Sequence, residues 1–147
     1  MKQCGYNLPT SSNSIKNMVI KHSETVKTSL INKLRKLKEE RVKLSLTLDQ
    51  WTSLGNRRFM NVNIHSPMLT NEFVNLGLVR GIGSMPARTC LQLLENRLSA
   101  FELSLKDDIV CLTTDSASVM TVLGRGAALY HQQCLAHGVQ LAILDAL

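Results

Sequence analysis

The sequence predicts an α/β domain organised around one mixed β-sheet. Three observations carry that expectation. Leu44, Leu46 and Leu48 alternate with Ser45, Thr47 and Asp49, the period-two pattern of a strand with one apolar and one polar face. Two further β-prone runs follow through short connections. A stripe at helical spacing then separates those three runs from a fourth, Ile109 to Thr113.

Taken in order, the chain opens with a polar, turn-rich stretch, Met1 to Asn13. From Ser14 the pattern turns helical, and an amphipathic helix is predicted from about Ser23 to Arg41, with Val26, Leu30, Leu34 and Leu37 on its apolar face. The first strand follows. Gly55-Asn56 makes a turn, and Phe59, Val62 and Ile64 mark a second strand from about Arg58 to His65, ended by Ser66-Pro67. Phe73 to Ile82 reads as a third, closed by Gly81-Ile-Gly83. Short connections make an antiparallel meander the economical arrangement. Pro86 suits the first turn of a helix that runs on toward Leu103. As a crossover, that helix sets Ile109 to Thr113 parallel to the first strand. Ser116 to Leu123 reads as a short helix, Gly124-Arg-Gly126 breaks the pattern, and Cys134 to Leu147 reads as a final helix. The expected sheet has three antiparallel strands plus one parallel strand. The expected division is 1–42, a basic helical segment, and 43–147, the sheet-bearing core.

Composition bounds the function. At 147 residues, with 44% hydrophobic and 19% charged content, the chain can bury a sizeable core and falls outside the disordered class. Aromatics at 4% leave that core to Leu, Val, Ile, Met and Ala. The net charge of +6 is unevenly placed: the segment through Lys43 carries +7 and the remainder −1. Such a segment suits a polyanion, and equally suits a solvated lysine-rich helix face. Cys4, Cys90, Cys111 and Cys134 are widely spaced and read as reduced thiols of an intracellular protein. No apolar run approaches the length of a membrane span, so no membrane partner is expected.

Two segments carry the chemistry, Leu44-Ser-Leu-Thr-Leu-Asp49-Gln-Trp51-Thr-Ser53 and Ile109-Val-Cys-Leu-Thr-Thr-Asp115-Ser-Ala-Ser118. Each is a β-prone run that delivers an aspartate at its end. Two carboxylates held together repel unless a cation neutralises them, so a convergent pair suits Mg²⁺. Two-metal phosphoryl chemistry uses such ligands, ordinarily with a third acid. Taken singly, Asp115 before Ser-Ala-Ser also fits a helix cap.

These segments, with Thr114-Asp115-Ser-Ala-Ser118-Val-Met120, Cys134-Leu-Ala-His137, and Tyr6-Asn-Leu-Pro9 ahead of a basic helix, resemble the hAT superfamily of DNA transposases. The chain is particularly similar to their domesticated relatives, the BED-type zinc-finger (ZBED-like) proteins, and the resemblance spans about Tyr6 to Leu147. The resemblance implies an RNase H-like catalytic core whose D-D-E triad binds Mg²⁺, with Asp49 as first acid and Asp115 as second. Trp51 matches the tryptophan of the first motif. Cys134 and His137 match a C-x-x-H motif near the active site and the DNA. The family's helical insertion, third acid and BED finger are not matched, and Val119 stands where many relatives carry Asn. The expectation is therefore the front half of the core with an incomplete triad.

Other candidates carry two readings each. Cys134 and His137, extended upstream by His131, have zinc-type side chains, but i to i+6 is poorly matched to one helical face. The alternative is a buried stripe of Cys134, His137, Leu141 and Leu144, and no zinc is expected. Trp51 can pack near the carboxylates or stack on a base. Lys33, Arg35 and Lys36 are the candidate phosphate contacts, with Trp51 and His137 beside them as nucleic-acid contacts. Cys111 is expected in the core, and His22 and His65 suggest no partner. The expected function is a transposase-derived, non-catalytic nuclear protein that binds DNA weakly and without sequence preference, or binds other transposase-derived proteins. The alternative is a Mg²⁺-dependent transposase or nuclease, if a longer product supplies the third acid.

Overall fold

A computed structural model describes residues 11–69, 73–115, 117–127 and 130–146. The first element is a 28-residue helix, α1 (Ser12–Glu39). The Ser11 hydroxyl caps it by accepting from the Ser14 amide at 3.1 Å. It ends where Arg41 turns left-handed at φ 57° and the Val42 amide reaches back to the Leu37 carbonyl at 2.9 Å. The helix starts eleven residues earlier than the periodicity predicted. Leu30, Leu34 and Leu37 are buried, whereas 11–29 are exposed, so the first half of α1 stands clear of the core.

Five strands follow: β1 (Leu44–Thr52), β2 (Arg58–His65), β3 (Phe73–Gly81), β4 (Ile109–Thr114) and β5 (Tyr130–Gln133). They form one mixed sheet in the order β3-β2-β1-β4-β5, with β1–β2 and β2–β3 antiparallel and β1–β4 and β4–β5 parallel. The antiparallel meander and the parallel fourth strand are as expected. The fifth strand is a correction. Tyr-His-Gln-Gln has no apolar alternation to announce it, and it is a strand because β4 offers it an edge.

Between β3 and β4 lie α2 (Ala87–Ser99) and a single turn, α3 (Leu105–Asp108). The sequence pattern predicts one crossover helix running toward Leu103. Instead α2 stops at the Ala100 cap, and Glu102 takes φ 61°. α4 (Ser118–Gly126) links β4 to β5, and α5 (Leu135–Ala146) follows β5. Gly124 and Gly126 lie inside α4 instead of breaking it. A side chain at Gly124 would strike the His131 ring, so glycine there lets β5 pack against the helix.

The two sheet faces differ in kind. Leu44, Leu46, Leu48, Met60, Val62, Ile64 and Leu112 are buried on one face, in a single cluster with Leu34, Leu94, Leu98, Met120 and Leu123 of α1, α2 and α4. Cys90 belongs to this core, and burial pushes its thiol above the usual range. The opposite face is polar. One row of register crosses all five strands as Asn75, Asn63, Thr47, Thr113 and Gln132. Cys111 belongs to this half-buried face, not to the core as expected, because the parallel register sets it beside Ser45. Among the described residues no helix is long and apolar enough to cross a membrane.

Candidate functional site

The polar face builds the site through register. Thr47 of β1 lies opposite Thr113 of β4, and side chains two residues on return to the same face. Asp49 and Asp115 are those residues. They stand at matching positions on neighbouring parallel strands, beyond the last parallel pair. Both line one cleft of about 330 Å³ with Thr47, Thr113, Cys134, His137 and Gln140. β1 itself does not end at Asp49. Antiparallel pairing with β2 carries it to Thr52, with Asp49 opposite Asn61. Asp115 directly follows the last residue of β4, and its Oδ1 accepts from the Ala117 amide at 3.2 Å, a local turn that orients the carboxylate.

A buried polar chain fixes the end of β4 behind Asp115. Thr114 is fully buried, and its hydroxyl donates to the Asp115 carbonyl at 2.9 Å. That donation uses its only proton, so His131 Nε2, also at 2.9 Å, is the donor to Thr114 Oγ1. The His131 ring rests on Gly124. His131 thus faces the helical side of the sheet, away from Cys134 and His137, and the three do not form one group. Sequence reasoning missed this support. The glycine in a helical stretch was its one visible signal.

Each remaining candidate has a definite place. Trp51 is 38% exposed and stacks across the strands on Phe59, with ring centroids 5.8 Å apart, but does not line the cleft. His137 of α5 and Cys134, the residue just before that helix, do line it. The buried stripe expected along that helix is corrected: Leu141 is 41% and Leu144 60% exposed, and α5 has no buried residue. His65 has a partner after all, the Thr47 hydroxyl at 2.9 Å. The basic trio divides. Arg35 is held in a forked ion pair with Glu102 at 2.8 Å, whereas Lys33 and Lys36 line a groove on the other side of α1.

The donor set suits a hard cation held through few protein ligands. Mg²⁺ keeps several waters and is commonly bound by one or two carboxylates with substrate phosphates. Neither aspartate is ion-paired to Lys, Arg or His among the described residues. Those residues contain no group of three or more His, Cys, Asp and Glu arranged to hold a metal. Comparison with models of known families finds no match, and no curated protein is significantly similar to the chain.

Proposed function

We propose that this chain is the RNase H-like core of an hAT transposase-derived protein, which associates with DNA or protein partners in the nucleus and does not itself cut DNA. One observation carries the reading: Asp49 and Asp115 arrive at matching positions on adjacent parallel strands and face one cleft. The strand order supports it. Three antiparallel strands, then a helical crossover to a strand beside the first, is the arrangement that the resemblance implies.

The residues have distinct work. Asp49 and Asp115 would hold Mg²⁺, which when bound supplies positive charge to phosphate oxygens and lowers the pKa of a bound water. Thr114 and His131 set the direction of Asp115. His137 and Gln140 offer hydrogen bonds from the opposite wall of the cleft. In-line displacement needs a fuller ligand set than this pair, so on this reading the two aspartates by themselves hold a metal without cutting DNA.

Titration calorimetry with Mn²⁺ and Mg²⁺ tests the pair. Asp49→Asn and Asp115→Asn should each weaken binding at least about tenfold, or about 1.4 kcal/mol. Equal affinity in the wild-type chain and both variants overturns the shared site. The chain should leave a labelled terminal-repeat hairpin intact with either metal. Cleavage abolished by Asp115→Ala establishes the nuclease alternative instead.

A further inference from the structure

Two features are left unpartnered at opposite corners of the molecule. The first is α5. It is a 12-residue helix with no lysine or arginine and a single carboxylate, Asp145. The residues Ala136, His137 and Gln140 meet the cleft, while Leu135, Val139 and Ile143 form a stripe turned elsewhere, 77%, 51% and 56% exposed. An apolar helix of this kind is ordinarily buried against another element.

The second is a groove between α1 and the β3 edge. Two depressions of about 240 and 410 Å³ meet at Lys33, which lines both. Val26, Leu30, Leu37, Met68, Leu69 and Val74 supply apolar lining, and among the described residues Lys33 and Lys36 outnumber Glu40 in the charged lining. Neither lysine is ion-paired among the described residues.

We infer that the chain self-associates, with α5 of one copy seated in the α1–β3 groove of another. The lengths agree. The groove follows α1 from Thr25 to Glu40, about 22 Å at 1.5 Å per residue, and α5 is about 18 Å long. The charges agree as well, because α5 brings one carboxylate and no lysine or arginine to a rim with two lysines. An apolar stripe at i, i+4 and i+8 against an apolar floor is the helix-in-groove mode. A phosphate backbone would have no use for that floor.

The contact must be made in trans. α5 leans over the polar face at the β1–β4 cleft, whereas the groove lies beside Val74, which pairs with buried Ile64 on the other face. The groove borders β3, at the opposite sheet edge from β5, about 19 Å away across four strand spacings. One end of each copy therefore offers what the other end receives. Exchanged both ways, the contact gives a two-fold dimer; passed head to tail, it closes in a ring or continues as a chain. The inference is independent of the proposed function.

Sedimentation of the full 147-residue chain tests it, with two surface variants. Val26→Glu with Met68→Glu spoils the groove, and Val139→Glu with Ile143→Glu spoils α5. All four positions are at least half exposed, so each variant should keep the wild-type circular dichroism spectrum. The wild-type mass should rise above 16.3 kDa with concentration, with a dissociation constant on the order of 10⁻⁵ M for so small an interface. Each variant alone should stay monomeric at concentrations tenfold higher. An equimolar mixture should regain association, because one variant keeps its groove and the other keeps its α5. A wild-type chain monomeric throughout, a mixture without association, or a groove variant that associates like wild type overturns the inference. The last result would assign the contact to α5 pairing with itself.

Discussion

At Gly124 a single missing methyl group determines where β5 can lie. Its Cα faces the His131 ring so closely that a Cβ would overlap it. The same ring donates to Thr114, whose hydroxyl holds the Asp115 carbonyl. Alanine at 124 would improve helix propensity by about 1 kcal/mol in an open helix. Here it must displace His131, and overpacking of this kind costs about 1–3 kcal/mol. Gly124→Ala should therefore lower stability in chemical denaturation despite the better helix former, and should weaken metal binding through Asp115. Gly126→Ala, at the end of the same helix and with nothing for its Cβ to meet, is the control and should hold or raise stability, by up to about 1 kcal/mol.

At the scale of elements, α1 serves two purposes along its length. Its C-terminal half is clamped from the side by Arg35 on Glu102 and by Lys38 on Asp108 at 3.0 Å, while the Lys38 ammonium also reaches the Glu102 carbonyl. Asp108 is buried and accepts from the Ser104 amide as well, so this pair is tied into the turn that starts α3. The lysines at 33 and 36 face elsewhere. If α1 contacts DNA through them, Lys33→Gln with Lys36→Gln should flatten the salt dependence of duplex binding by about 0.9 per lysine in log–log slope. Fluorescence anisotropy across a salt series reads this directly, and an unchanged slope would remove both from the DNA contact. Arg35→Gln belongs to a different class. Its half-exposed ion pair is worth only about 0.2–1 kcal/mol, and its loss should appear in stability.

For the whole molecule, one cluster joins α1, α2, α3 and α4 to one face of the sheet, and the other face is left to polar side chains. Leu34 is fully buried where α1 enters that cluster, and Met18, on the projecting half, is 58% exposed. Leu34→Ala should cost about 2–5 kcal/mol. At about 2–4 °C per kcal/mol for a domain of this size, the Tm should fall by about 4–20 °C. Met18→Ala should leave the thermal melt in place. A melt unmoved by Leu34→Ala would mean that α1 contributes nothing to the core it touches.

Strong local patterns were legible in the chain itself. Alternation at Leu44 to Asp49 and Met60 to His65 specifies which face of β1 and β2 is buried, because successive strand side chains point oppositely. The same rule sets Asp49 on the polar face before any partner is known, and Asp115 follows from the end of its own apolar run. What only the tertiary structure decided are the features that a neighbour creates. Tyr130 to Gln133 is a strand because β4 has a free edge, and Gly124 is tolerated in a helix because His131 needs its space. Arg35 is separated from Lys33 and Lys36 because Glu102 turns toward it with a left-handed backbone. The apolar period of Cys134 to Leu147 correctly indicated a helix, yet not its burial. Periodicity records which side of an element avoids water, and only the packed fold determines whether anything is there to cover it.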